Sequence, residues 1–442
     1  YSKVNTAKIR VKGTLNMIGE EIYNFASELW PINRSITGEG TRKTLKKIKE
    51  HLPDLKIHNI PSGTKAFDWI VPKEWNVIKA FIITPSGKKI CDFNVNNLHL
   101  LGYSIPFKGY ISLEELKEHL YTLPDQRDAI PYVTSYYEER WGFCISFNQY
   151  ELLEDGIYKV VVDSELIEGF LNYGELIIPG KSNKEVFLST YICHPSMANN
   201  ELSGPTVLTF LGKWLSKIIN LRFTYRIIFI PETIGSIVYL SLNYKEMKDK
   251  VFAGFNLSCI GDERTYSYIP SRIGNTYSDQ IAKHILKWTD ANYKSYTWLD
   301  RGSDERQYCS PGIDLPVASI LRTKFGEFPE YHTSLDKLGK VVTPNGLNGG
   351  YWVVRKSLEL IERNKKYKVK ALCEPKMSKY NLYPTLSTKE RKTEVKLMMN
   401  FISYCDGNSS LLEIADKLKI PCWDLYQLTK RLEEINLISA KD

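Results

Sequence analysis

Apolar positions recur with helical spacing from Thr14 to Trp30, where Met17, Ile18, Ile22, Phe25, Ala26 and Leu29 share a face. The spacing returns beyond the turn-like Thr37-Gly38-Glu39-Gly40 at Leu45, Ile48 and Leu52, so the chain is expected to open with two helices. From about residue 57 the pattern changes to short apolar runs between turn residues, as in Phe67–Pro72, Ala80–Gly87 and Tyr158–Val162. The stretch from about 60 to 175 therefore reads mainly as β.

Beyond Gly174, apolar runs alternate with helical patterns. Strands are expected at Glu185–Thr190, Thr224–Ile230 and Phe252–Ser258, and helices at Val207–Ile218 and Ile237–Tyr244. Such spacing predicts an α/β fold: a mostly parallel sheet with flanking helices, interrupted by an inserted small β domain. Residues 361–380 hold seven Lys or Arg against two Glu, which reads as a solvated linker or a basic helix end. After it, Lys389–Tyr404, Ser410–Leu418 and Cys422–Leu432 are helix candidates, and Leu437-Ile438 is the start of a small wing. Three short-linked helices and a wing predict a C-terminal winged helix-turn-helix. The expected partition is 1–60 with 176–375, an insertion at 61–175, and a winged helix at 379–442.

Composition narrows the classes. With 43% apolar and 25% charged residues, the chain belongs with globular rather than disordered or collagen-like sequences. No run approaches the roughly 18 uncharged apolar residues of a membrane-spanning helix. Eight dispersed cysteines without a Cys-x-x-Cys pair read as reduced thiols, and the start of the chain lacks the pattern of a secretion signal, so a cytoplasmic location is expected. The formal charge of +8 is diluted over 442 residues. From Asn381 to Asp442, nine basic and nine acidic residues balance, and Asp424 stands near the start of the third helix candidate. Duplex binding depends on phosphate neutralisation, so this unit is expected to dock a protein partner or a second copy of the chain rather than DNA.

Candidate chemistry lies at strand ends, where open α/β sheets place their ligands. Four segments qualify: Thr190–Gly204 with His194, Phe229–Ser236 with Glu232, Cys259–Glu263 with Asp262, and Glu330–Asp336 with His332. Imidazole and carboxylate side chains suit Zn²⁺, and a free glutamate beside a bound water suits a general base. Any one of these residues alone is more often a turn or hydrogen-bonding residue; four ends of one sheet shift the balance. Cys193 beside His194 reads as a buried thiol. Trp69, Trp75, Tyr136, Tyr137 and Trp141 of the insertion either line an entrance or fill a small β core.

His194 with Asn-Glu-x-Ser-Gly, Glu232 in Pro-Glu-Thr-Ile-Gly-Ser, Asp262 and Tyr331-His332-Thr333 resemble the metal and catalytic segments of zinc aminopeptidases related to glutamate carboxypeptidase. Ser303-Asp304-Glu305 followed by Gly312-Ile313-Asp314-Leu315-Pro316 matches a further segment. The whole chain resembles bacterial aminopeptidase-like proteins with an inserted β domain and a C-terminal winged helix. The resemblance implies a zinc-peptidase-like fold and a metal-dependent aminopeptidase or related amide hydrolase acting on a peptide or other amide-bearing small substrate. His194 and Asp262 would bind one metal, position 200 would bridge, His332 would bind a second metal, and Glu232 would be the general base. The chain departs from that pattern at Asn200, Glu201 and Thr233. One zinc is therefore expected, at His194 and Asp262 with Asn200 or Glu201, or with Glu232 or His332 completing it; the other reading is a peptidase-fold protein that binds without turnover.

Overall fold

The computed structural model describes residues 12–136, 138–380, 382 and 389–441. Tyr137 and the side chain of Met17 lie outside what is described. The chain forms two compact units. One comprises the described residues up to Asp279 with Tyr293–Trp352; the other comprises Gln280–Asn292 with the described residues from Val353 on.

The first unit opens with the two expected helices, α1 (Lys12–Leu29) and α2 (Glu39–His51). Its central sheet contains β1 (Lys56–Pro61), β2 (Phe170–Ile178), β3 (Ser182–Tyr191), β4 (Phe223–Ile230), β5 (Val251–Leu257), β6 (Ser267–Ile269), β7 (Lys294–Ser295) and β8 (Val317–Leu321). The strand order is β1-β2-β4-β3-β5-β8-β6-β7. Parallel pairing joins β4, β3, β5 and β8, while β1, β2 and β6 run antiparallel to their sheet neighbours β2, β4 and β8. Val186, Phe187 and Leu188 of β3 and Ile227–Ile230 of β4 are wholly buried, as a strand covered on both faces requires.

Helices α3 (Ser203–Leu215) and α4 (Ile234–Lys250) follow β3 and β4. Val207, Leu208, Leu211 and Leu215 bury one apolar stripe of α3. At its start, a Cβ on Gly204 would lie 2.7 Å from the Leu257 carbonyl oxygen, so only glycine lets the helix begin this close to β5.

Two boundaries fall elsewhere than the pattern placed them. Phe170–Ile178, largely within the range expected for the insertion, pairs with β1 and β4 in the central sheet. The chain leaves that sheet at Pro61 and builds a separate four-stranded sheet from Glu74–Ile83, Lys89–Ile90, Phe107–Ser112 and Ile157–Ile167. In the second unit, Lys366–Val369 is a strand rather than a solvated linker: Tyr367 is buried while its lysine neighbours are exposed.

Helices α5 (Tyr277–Thr289) and α6 (Pro344–Arg363) carry the chain across the unit boundary. The second unit adds α7 (Lys389–Ser403), α8 (Leu411–Leu418) and α9 (Tyr426–Glu434). Ser410 caps α8 and Glu413 returns the bond to the Ser410 N–H, satisfying two otherwise open donors. Lys366–Val369 pairs with both Asp406–Ser410 and Ile438–Lys441, forming the wing. No helix among the described residues is long and apolar enough to cross a membrane.

Candidate functional site

The ends of β3 and β4 bring His194 and Glu232 together: His194 Nε2 lies 3.8 Å from Glu232 Oε2. Between β3 and α3, residues Ala198–Leu202 form a turn of π-helix, with the Leu202 N–H donating to the Met197 carbonyl at 3.3 Å. The turn carries Glu201 back under His194. One Glu201 oxygen accepts from the His194 N–H at 3.0 Å and lies 3.2 Å from Nδ1, while the other accepts from Arg34 Nε at 3.0 Å. Arg34 and Glu201 side chains are fully buried, and Arg34 also donates to the carbonyls of His194 and Leu29. A buried carboxylate is tolerable only when paired in this way.

Burial works against charge on His194, yet its neighbours Cys193, Tyr132 and Glu201 hold the imidazole well above its ordinary value. Of these, burial pushes the Cys193 thiol up to about 11, and the Glu201 oxygen 3.2 Å away is the acceptor that His194 Nδ1 faces. His194 thus holds a proton on Nδ1 toward Glu201 and presents Nε2 to Glu232. Burial raises Glu232, with His194 opposing. Asp304 rises to about 7 through burial and the adjacent Glu232. Asp304 Oδ1 accepts from the Thr233 N–H and Ser236 Oγ, each at 2.8 Å, whereas Oδ2 is buried with no partner among the described residues. Thr233 has φ 64° and ψ −82°, a costly conformation for a β-branched residue, and Arg306 and Asp304 hold it there.

The remaining expected ligands are engaged differently. Asp262 accepts from the Thr323 N–H at 2.8 Å, Thr323 Oγ1 at 2.5 Å and the Arg264 N–H at 3.2 Å. Asn200 Oδ1 lies 3.2 Å from the donating Tyr191 hydroxyl, which also bonds the Asn200 carbonyl. Its Nδ2 is buried without a partner among the described residues. Asp336 accepts the N–H groups of Asn199 and Asn200 at 2.8 and 2.9 Å, and burial raises it to about 7. His332, at φ 55°, has its ring centroid 5.7 Å from that of His194, and burial with the His194 charge holds it down to about 3.

Zinc requires three or four donors converging with open lone pairs. Here the Asp262 oxygens take protein donors, position 200 offers a neutral amide, and Glu201 is matched by Arg34. Among the described residues no group of three or more His, Cys, Asp or Glu side chains could hold a metal ion. The donor set as arranged does not fit the zinc expected from the sequence.

The insertion supplies the walls. Asn97 and Ser196 exchange hydrogen bonds at 2.8 and 3.1 Å, and the Tyr132 N–H donates to the His332 carbonyl at 2.8 Å. The Tyr132 ring stands 5.3 Å from His194 and 5.1 Å from His332, and its hydroxyl bonds Tyr136 at 2.7 Å. A pocket of about 130 Å³ is lined by Ile36, Trp69, Tyr136, Cys193, His194, Glu232 and Thr233. Of the aromatics considered for the entrance, Trp75 and Trp141 instead pack in the insertion, Trp75 against Tyr103 and Trp141 against Phe107. Arg34 and Tyr132 escaped the sequence reading; neither carried a signal beyond its residue type, since each reaches the site from a distant segment.

A sheet of this order, with polar loops at the ends of its parallel strands, defines the class as a zinc-aminopeptidase-type fold joined to a winged helix. The structure of a zinc aminopeptidase from Bacillus subtilis superposes with a TM-score of 0.57 at 13% identity, covering 80% of this chain and 96% of that one. Residues 365–440 match the winged helix-turn-helix family HTH_47. Residues 23–364 match the domain of unknown function DUF4910, and the chain belongs to that family. A Clostridium acetobutylicum protein, provisionally named for polysaccharide biosynthesis with an aminopeptidase-like domain, is 43% identical over 401 residues, 90% of this chain and 91% of its own length. A crystal structure from the same organism, provisionally named a peptidase, has a TM-score of 0.91 and 40% identity, covering 97% of this chain and 98% of that one.

Proposed function

We propose that the pocket binds the amino end of a peptide, or another α-amino amide, without zinc-assisted turnover. The observation that carries this reading is the His194–Glu232 pair, 3.8 Å apart in a small pocket. Protonated His194 donates from Nε2 to the ligand's amide oxygen, and Glu232 accepts from its amine, so the two groups match a ligand whose donor and acceptor are adjacent. Trp69 and Tyr136 offer aromatic surface to the cationic end. Hydrolysis through one zinc, expected from the sequence, would require Asp262 and Asn200 to exchange their present partners for the metal. Cys193 does not replace it as a nucleophile, because burial keeps the thiol protonated near neutrality. The C. acetobutylicum relative is named for polysaccharide biosynthesis, which makes an amide-bearing sugar a ligand of the same chemical kind.

The winged unit is proposed to dock protein rather than DNA. The balance of nine basic and nine acidic residues from Asn381 to Asp442 supports this for its three helices, while the wing strand Lys366–Val369 and its flanks add lysines that the balance does not cover; Lys356 over Trp423 at 4.2 Å and Arg363 over Tyr426 at 4.8 Å engage two further cations of the unit.

Calorimetric titration with alaninamide tests the pocket. Binding by the unmodified protein and a loss of at least about tenfold in Glu232→Gln are expected. Aminoacyl-p-nitroanilide should not be cleaved with or without added zinc; zinc-dependent cleavage lost in the same variant would replace the binding reading by a metal-hydrolase one.

A further inference from the structure

The small pocket is too short for more than the head of a ligand. A larger cavity of about 480 Å³ lies beside Tyr132 and His332, the aromatic neighbours of His194. Tyr132 and His332 line it, and their ring centroids lie 5.3 and 5.7 Å from that of His194, which lines the small pocket. The two cavities are thus lined by neighbouring side chains, His194 and Tyr136 in the small one and His332 and Tyr132 in the larger. We propose that the larger cavity is a second subsite, built by the insertion, for the body of the ligand whose amine end sits at Glu232. This rests on the amine-pocket reading.

The lining specifies the chemistry of that body. Leu123, Pro124, Pro131 and Val133 supply an apolar wall, and no Lys or Arg is among the lining residues. Its polar groups are weighted toward acceptors. Asp125 is exposed and brings a carboxylate, while Gln126 is engaged through Nε2, which donates to the Pro329 carbonyl at 2.7 Å. The exposed Asp125 carboxylate accepts from a ligand that brings N–H or O–H groups and disfavours an anion. The volume falls in the range of sites that enclose small organic ligands. The subsite therefore selects an uncharged or cationic body, rich in hydroxyl or amide N–H, with an apolar face; a second and third peptide residue without acidic side chains meets these terms.

The geometry also fixes the frame. The Ile130 N–H donates to Ser334 Oγ at 3.0 Å and the Ser334 N–H to the Ile130 carbonyl at 2.9 Å, while Pro131 and Thr333 are bridged. The insertion is thereby clamped to the His332 loop from Ile130 through Tyr132, so the subsite is preorganised rather than assembled by the ligand.

Titrations with alaninamide, alanyl-seryl-tyrosinamide and alanyl-glutamyl-tyrosinamide test the subsite in the full-length protein. The neutral tripeptide amide should bind at least about tenfold more tightly than alaninamide, and the acidic one should not. Val133→Trp, filling the cavity, should bring the neutral tripeptide down to the alaninamide level and leave alaninamide unchanged. Asp125→Lys, at an exposed position, should improve binding of the acidic tripeptide several-fold. The subsite is overturned if Val133→Trp weakens all probes equally or none, or if Asp125→Lys leaves the charge preference unaltered. Loss of alaninamide binding alone, with Val133-dependent tripeptide binding intact, would overturn the amine pocket and retain the subsite.

Discussion

The corner of the site around His194 and the corner around Asp262 come from the ends of the same sheet, yet they treat their polar groups in opposite ways. At His194, each buried charge has an opposite partner: Arg34 with Glu201, Glu201 with His194, His194 with Glu232. One nitrogen and one carboxylate are left facing a pocket. At Asp262, the lone pairs are used by Thr323 and Arg264, and the neighbouring Asp336 is used by two backbone N–H groups. The difference teaches that a strand end in this fold becomes a site or a brace according to whether donors from adjacent loops reach its carboxylate first.

Removing the buried cation is the strongest way to break the first corner. Arg34→Met removes the buried cation on one Glu201 oxygen and leaves His194 as its remaining partner, and a loss of about 3–5 kcal/mol in urea denaturation is expected. An unchanged midpoint would mean that Glu201 is stabilised without Arg34. Asp304 gives a pH-dependent test of the same corner. Its folded value is about 7, above the ordinary carboxyl range, so the folded state holds a proton that the unfolded chain releases, and stability falls as pH rises from about 4 through 7. Asp304→Asn should flatten that decline and gain on the order of 2 kcal/mol near pH 8, with little change near pH 5. Thermal unfolding across that range measures it. The smallest effect sharpens the second corner: Asn200→Asp restores a charged oxygen at position 200, and zinc affinity should rise at least about tenfold, a change of roughly 1.4 kcal/mol. Two tight zinc equivalents in the unmodified chain would show that the Asp262 corner opens readily to metal.

Three of the sheet's strands, at Glu185–Thr190, Thr224–Ile230 and Phe252–Ser258, were legible because each is an apolar run of the length buried parallel strands need, and the His194 and Glu232 segments were legible because polar residues follow two of those runs; short or polar strands such as Lys56–Pro61 and Lys294–Ser295 carry no such mark. What happens between the segments was not. Asp262 meets Thr323 across a separation of 61 residues, and Arg34 meets Glu201 across 167. Such pairings arise from chain placement, and an Arg in a turn-like stretch carries no mark of burial. The wing strand at Lys366–Val369 shows a milder failure. Its alternation is present, but four lysines in six residues obscure it.

The π-helical turn at Ala198–Leu202 has a further consequence, for alignment. One residue of helix turns the side-chain direction by about 100°, so the wider turn shifts the phase of what it carries relative to an ordinary α-helical turn. Read position by position against a relative with an α-helical turn, Asn200 inherits a role and Glu201 becomes its bystander. In space it is Glu201 whose carboxylate reaches His194, while Asn200 is held by Tyr191. Members of the family are therefore better sorted by the length of this turn than by the letter at the bridging column: deleting one residue there would swing the glutamate out from under His194 and remove Arg34's counter-ion in the same step.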